Sequence, residues 1–327
     1  MLSVIVPCYN EKKYITHCVE SILQQDYPKD DLEVLFVDGM SNDGTRDSLQ
    51  SYCAQYPFLK MLDNPEKIVR FAMNKGIRAA QGEVIIRLDM HSAYEVSYFS
   101  TLAKQLQSLG ADNVGCVCKT DVLNKTSKAL AIKAALSSPF GVGNSSFRTG
   151  TPTVVEADTV PFGCFRRDVF ERFGYYDTRL VRNQDIELNK RIKAGGGKIF
   201  LLPEALCTYY ARETYCDLAR NNYRNGLWNL LTVRMTRNFS SLSVRHFVPL
   251  LFLLSLVLPC IAALLWKPFV VLAMASLVSY LAVLTFISIT IAKKDKSLSV
   301  PYLFWAFLTL HFSYAAGSFV GIFKSVK

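Results

Sequence analysis

Three carboxylates stand where they could do chemistry. Asp38 follows the apolar run 32–37, Asp89 follows the run 84–88 with His91 two residues on, and Asp185 lies in Asn183-Gln184-Asp185-Ile186-Glu187-Leu188. A carboxylate can accept hydrogen bonds from a sugar hydroxyl or a base, hold a hard cation, or take a proton in catalysis. Asp89-Met90-His91 pairs an oxygen donor with imidazole, a softer ligand that tolerates Mn²⁺ better than Mg²⁺. Each position also has a plainer reading, Asp38 and Asp43 as turn caps and Asp185 as an ordinary first-turn helix acid.

What positions these groups is an alternation of strands and helices. Val4-Ile5-Val6 reads as a buried strand leaving through Pro7-Cys8-Tyr9-Asn10, with Asn10 as cap of a helix whose apolar face is Ile15, Val19, Ile22 and Leu23. The second strand ends at Asp38 in the turn-rich Gly39-Met40-Ser41-Asn42-Asp43-Gly44, and a helix starts near Thr45. A further helix over 69–80 and a strand over 84–88 deliver Asp89. This spacing predicts an α/β fold with a largely parallel sheet and helices on both faces. Ligands of such sheets bind beyond the carboxyl ends of the strands, so segments 7–11, 38–43 and 89–91 are expected at one edge. The first strand leads into Pro-Cys-Tyr-Asn-Glu and not into Gly-x-Gly-x-x-Gly, which argues against a dinucleotide-dependent oxidoreductase.

Taken in order, Val4–Glu11, Val37–Thr45, Leu88–His91 and Asn183–Asp185 resemble the signatures of the family 2 inverting glycosyltransferases of GT-A fold, over about residues 1–210. Segments 87–91 and 161–167 look like the succinoglycan-type exopolysaccharide glucosyltransferases. The resemblance implies a GT-A fold, a mixed and largely parallel sheet flanked by helices. It implies a nucleotide diphosphate sugar donor, UDP-glucose favoured, bound through Pro7, Tyr9, Glu11, Asp38, Arg70 and Asp89. Tyr9 would stack on the base and Glu11 bind ribose, while Arg70 and Lys67 could assist at the diphosphate or be solvated helix charges. Asp89 and His91 stand at the family's Asp-x-Asp position and would ligate Mn²⁺ or Mg²⁺; Asp185 matches the Asp of a catalytic Glu-Asp pair, with Gln184 departing from the Glu. Phe162 and Phe165 are available to stack on acceptor sugars. Arg220-Asn221-Asn222-Tyr223-Arg224 departs from the Gln-x-x-Arg-Trp of processive relatives.

The chain has 327 residues and a net charge of +10, and its apolar residues crowd into the last quarter. Segments 247–266, 269–292 and 300–323 are each about the 20 residues needed to span a bilayer. The expected organisation is a nucleotide-sugar half over 1–110, an acceptor half with a basic juxtamembrane segment over 111–245, and three transmembrane helices over 246–327. The basic loop Lys293-Lys294-Asp295-Lys296 is expected in the cytoplasm, and because two crossings separate it from the catalytic domain, that domain is expected there too, on the inner membrane. Arg212, Arg220, Arg224, Arg234, Arg237 and Arg245 suit membrane lipids or a lipid-linked glycan acceptor better than nucleic acid. All nine cysteines read as reduced packing residues. The competing enzymes are a processive polysaccharide synthase and a polyprenyl-phosphate sugar transferase; an inactive membrane scaffold is the non-enzyme alternative.

Overall fold

The computed structural model describes residues 1–236 and 244–324, so Arg237 and Lys327 lie outside the described residues. The chain divides into two compact units, the first formed by residues 1–119 and 146–210, the second by 120–145 and 211–327.

The first unit is built on nine strands: β1 (Leu2–Cys8), β2 (Leu32–Asp38), β3 (Leu59–Asp63), β4 (Val84–Arg87), β5 (Ser92–Tyr94), β6 (Asn113–Asp121), β7 (Val155–Glu156), β8 (Cys164–Arg166) and β9 (Ile199–Tyr210). They form one mixed sheet in the order β3-β2-β1-β4-β8-β6-β9-β5, with β7 on β9. β1, β2, β3 and β4 pair in parallel; β8 runs antiparallel to β4 and β6, and β5 and β7 run antiparallel to β9. β1 and β2 are buried along their whole length, as strands covered on both faces must be. One apolar cluster covers each face: Val4, Val6 and Phe36 with the helix Ile15–Leu23, and Ile5, Leu35 and Val37 with the helix Val69–Ala79. Connections from β1 lead to β2 on one side and β4 lies on the other, so the strand order reverses at β1. A crevice is expected at the carboxyl ends of β1 and β4.

Two local expectations differ. Asn10 does not cap the first helix, which starts at Ile15 without a side-chain cap; the Asn10 amide oxygen instead accepts from the backbone N–H of Asn42 at 3.0 Å. Phe162 and Phe165 are 7 % and 3 % exposed and belong to the two cores, so neither offers a face to an acceptor sugar.

The second unit is helical. Helix Tyr215–Thr236 packs along helix Val300–Phe323 at backbone contact, because Gly226 and Gly317 meet the neighbouring carbonyls of Tyr314 and Tyr223 where a Cβ would sit within 2.0 Å. Arg234 donates to the Lys324 carbonyl at 2.6 Å just past that helix's end, where a cation is favoured. Among the described residues two helices, Phe269–Lys294 and Val300–Phe323, are long and apolar enough to cross a membrane. The first expected span corrects to a helix of only 15 residues, Val248–Ala262. At 1.5 Å per residue it reaches about 22 Å, short of a hydrocarbon core of about 30 Å. It contains Pro259 and gives way to turns at 263–265 before the next helix starts at Phe269. With that segment short, the count of crossings expected before the basic loop does not hold, and the loop no longer argues for a cytoplasmic amino-terminal part.

Candidate active site

The carboxyl ends of β1, β2 and β4 meet at one edge in the expected way. Cys8 pairs with Asp38 and Ile5 with Arg87, so Asp89 emerges about two residues above the level of Ile5. The two loops leaving β1 and β2 are tied together. Asn10 N–H donates to Ser41 Oγ (2.9 Å), Glu11 N–H to Thr45 Oγ1 (2.8 Å) and Lys12 N–H to Asp43 Oδ2 (3.1 Å). Asn10 and Met40 both hold left-handed conformations, φ 55° and 59°, which cost energy in non-glycine residues and mark a constrained loop pair. Burial raises the Asp43 carboxyl, but hydrogen bonds from the Thr45 hydroxyl, the Thr45 N–H and the Lys12 N–H together outweigh it and hold the carboxyl below its ordinary range.

Asp38 is fully buried. Its Oδ1 accepts from Ser41 Oγ at 2.5 Å, and its Oδ2 from Ser41 N–H and Arg46 Nη1, both at 3.0 Å. Arg46 continues to Asp63 at 2.6 Å. Asp38 thus organises the loop after β2. It shares the edge with Asp89 but stands two strands away, about 10 Å at sheet spacing, so the two cannot ligate one ion.

Asp89 and Asp185 do meet, on a residue that the sequence reading gave no role. Arg87, 6 % exposed at the end of β4, sends Nη1 to Asp185 Oδ1 in a close ion pair and Nη2 to Asp89 Oδ1 at 3.2 Å. Its Nε has no partner. The signal was available in the pattern, since an arginine inside the apolar run Val84-Ile85-Ile86-Arg87-Leu88 must be paired if the strand is buried. Tyr176 completes the group: its buried hydroxyl interacts with Arg87 and Asp185, and its backbone is clamped by Asn74, which donates to the Tyr176 carbonyl (2.9 Å) and accepts from its N–H (3.0 Å). Asp185 sits in the first turn of helix Gln184–Ala194, behind Asn183 in a left-handed conformation. Burial pushes its carboxyl above the ordinary range, Arg87 pulls it down and Asp89 pushes it up, with a net rise.

Pro7 is buried within β1 opposite Val37 and offers no side-chain donor or acceptor. Tyr9 is 43 % exposed, its ring packed over Gly39, where an added Cβ would meet it at 3.0 Å, and flanked by Lys67 Nζ at 5.9 Å from the ring centre. Glu11 Oε1 lies 3.7 Å from His91 Nδ1, and the His91 ring sits edge-on to Tyr209 at 5.1 Å. Arg70 is 9 % exposed, with Nε and Nη1 lacking any hydrogen-bond partner. Unpartnered donors on a buried guanidinium are suited to an anion.

Asp89, Asp185 and His91 do not close into a three-ligand cage. Asp89 and His91 offer an oxygen and an imidazole donor, a set whose chemistry would suit Mn²⁺ or Mg²⁺.

A buried arginine joining two acidic side chains at the crevice of a mixed sheet is an arrangement for polar transfer chemistry. Residues 3–174 match the model of glycosyl transferase family 2, more than half the chain, and the chain belongs to that family and is a glycosyltransferase. Among curated relatives, dolichyl N-acetyl-alpha-D-glucosaminyl phosphate 3-beta-D-2,3-diacetamido-2,3-dideoxy-beta-D-glucuronosyltransferase of Methanococcus voltae is 28 % identical over 71 % of this chain and 74 % of its own length. Succinoglycan biosynthesis protein ExoA of Rhizobium meliloti is 30 % identical over 66 % of this chain and 64 % of its own. The fold is of GT-A type. It is shared with the mannosyltransferase PcManGT from Pyrobaculum calidifontis, solved with GDP-Man and Mn²⁺, at a TM-score of 0.58 and 20 % identity over 98 % of this chain and 86 % of that one. TarS of S. aureus gives 0.51 at 17 % identity; the chain covers 54 % of its length.

Proposed function

We propose that the protein transfers a hexose from a nucleotide diphosphate sugar, UDP-glucose first, to a lipid-linked oligosaccharide or polysaccharide acceptor, with inversion, at the cytoplasmic face of a membrane. The observation that carries this is the Arg87 bridge between Asp89 and Asp185 at the carboxyl edge of the sheet.

The chemistry follows from the groups. Asp185, with a carboxyl raised above the usual range and about a third exposed, takes the proton of the acceptor hydroxyl as it attacks the anomeric carbon. Attack from the face opposite the leaving diphosphate inverts the configuration. Asp89 and His91 would hold a divalent cation, which when bound would supply positive charge against that diphosphate. Arg87 and Tyr176 fix Asp185 in place, so it does not have to be ordered during reaction. Arg70 offers its unpartnered Nε and Nη1 to a phosphate oxygen, Tyr9 stacks on the base, and Glu11 binds ribose. Asp38 acts on the nucleoside through the loop it orders.

Helices Phe269–Lys294 and Val300–Phe323 anchor the enzyme, and the exposed Arg220 and Arg224 meet lipid headgroups or a phosphate-bearing acceptor. Nine unpaired cysteines support a reducing compartment for the catalytic part. The relatives that act on dolichyl-phosphate sugars and in succinoglycan biosynthesis support a lipid-linked or polysaccharide acceptor.

The test is a panel of labelled nucleotide sugars offered to membranes containing the protein, with the product extracted and its anomeric configuration determined. One sugar added with inversion to a lipid-extractable acceptor is expected. Retained configuration, or a long polymer grown without release, overturns the reading.

A further inference from the structure

Chain spacing gives the cysteines no ligand pattern, yet the fold gathers three of them. Cys116 and Cys118 stand on one face of β6, two residues apart, and Cys207 comes from β9, the next strand of the sheet. Their sulfurs are 3.1 Å (Cys118 to Cys207), 3.4 Å (Cys116 to Cys207) and 3.7 Å (Cys116 to Cys118) apart, and none of the three residues is more than 3 % exposed. No histidine, carboxylate or fourth cysteine among the described residues joins them. Beside them lies the hydroxyl of Tyr98, a residue 1 % exposed, with Cys116 and Cys207 as its foremost electrostatic neighbours.

Geometry and charge together select a ligand. Sulfurs spaced about 3.4 Å apart on average lie about 2.0 Å from their common centre, so a metal–sulfur bond of about 2.3 Å puts an ion about 1.2 Å out of their plane. That is a three-coordinate pyramid, and a tetrahedral ion would lack its fourth donor. Three thiolates around a monovalent ion leave two uncompensated negative charges, and around a divalent ion one; around a trivalent ion the complex is neutral. The lining is a core of apolar side chains, with Arg148 the cation that acts on Cys118, and of these complexes the neutral one leaves no net charge buried among the sulfurs.

We propose that Cys116, Cys118 and Cys207 form a binding site for a trivalent thiophilic ion, the class represented by arsenite, held as a neutral tris-thiolate. In the binding step three arsenic–oxygen bonds of arsenous acid break and three arsenic–sulfur bonds form. Each thiol proton leaves with a hydroxyl as water, so three waters are released. Arsenic stays trivalent and no oxidant is needed. The site also touches the reaction. Cys207 is the cross-strand partner of Tyr94, whose hydroxyl accepts from the Asp89 N–H at 2.9 Å and lies 3.1 Å from the Asp89 carbonyl. An ion there sits behind the turn that carries Asp89, and glycosyl transfer falls as the adduct forms.

The experiment is native mass spectrometry of the reduced full-length chain after incubation with arsenite and desalting, a readout independent of activity. The expected adduct is one arsenic per chain, heavier by one arsenic atom less three hydrogens. It is lost in Cys118→Ser and in Cys207→Ala, and kept when the exposed Cys216 and Cys260 are both replaced by serine. No adduct, an adduct that keeps a hydroxyl and so uses two thiols, an adduct lost in the Cys216→Ser/Cys260→Ser variant, or zinc retained in preference to arsenic in equal competition overturns the proposal. Should both core variants fail to fold, the hydrogen count on the wild-type chain still decides it.

Discussion

Replacing Arg87 by methionine keeps an unbranched apolar stem in the strand and removes the charge that joins Asp89 to Asp185. At 3.2 Å and an effective dielectric of about 20, the Arg87–Asp89 attraction alone is about 5 kcal/mol before desolvation is set against it. Removing one partner of a buried pair costs about 3–5 kcal/mol, because the other charge is left uncompensated. Asp89 and Asp185 are 20 % and 32 % exposed, so water screens them and a loss of about 2 kcal/mol is expected. For a folded unit of this size that is about 4–8 °C in thermal midpoint. The assay is thermal unfolding of wild type, Arg87→Met, Asp185→Asn and the double variant in one detergent. Asp185→Asn relieves part of the stranded charge, so the double variant should fall short of additivity by about 1 kcal/mol. Transfer should drop about 100-fold in Arg87→Met, as the base loses its alignment. An unchanged midpoint, or strictly additive single effects, refutes the bridge as a working interaction.

Asp112 offers a test of stability against pH. Burial alone would raise its carboxyl, but hydrogen bonds from the Lys198 N–H and from Arg172 and Arg166 outweigh it and hold it below the ordinary range. A depressed carboxyl adds stability in full above its unfolded value of about 4 and loses it as pH falls through the folded value. Asp112→Asn should therefore cost about 1–2 kcal/mol at neutral pH, with both arginines half in water, and the gap to wild type should close below about pH 4 in denaturant titrations. Gly317→Leu should unfold the pairing of helix Val300–Phe323 with helix Tyr215–Thr236, read as loss of detergent-soluble monomer by size exclusion, since its Cβ would lie 1.9 Å from the Tyr223 carbonyl. With His91 as ligand, activity in manganese should equal or exceed that in magnesium at equal concentration, and strict magnesium dependence would remove His91 from the site.

The parallel half of the sheet was legible because its strands are continuous apolar runs ending at Pro7, Asp38 and Asp89, and helices of clear period lie between them. The antiparallel half was not, since β5, β7 and β8 are two or three residues long and have no period to read. What depends on that half was hidden with it: the Arg87–Asp185 pair spans 98 positions and the Cys116–Cys207 contact 91. Phe162 and Phe165 misled because aromatic residues suit a core and a sugar platform equally, and only the fold puts them inside. The segment 247–266 misled for another reason. Composition reports that a stretch is apolar, and it does not report where the helix stops within it.

The central claim is that Asp185 is the base and the donor site is separate from it. Calorimetric donor binding with Mn²⁺ and single-turnover transfer, measured on the same preparation of Asp185→Asn, test this together. The account predicts transfer slowed about 1,000-fold with donor affinity within about twofold of wild type. Transfer at the wild-type rate would contradict it.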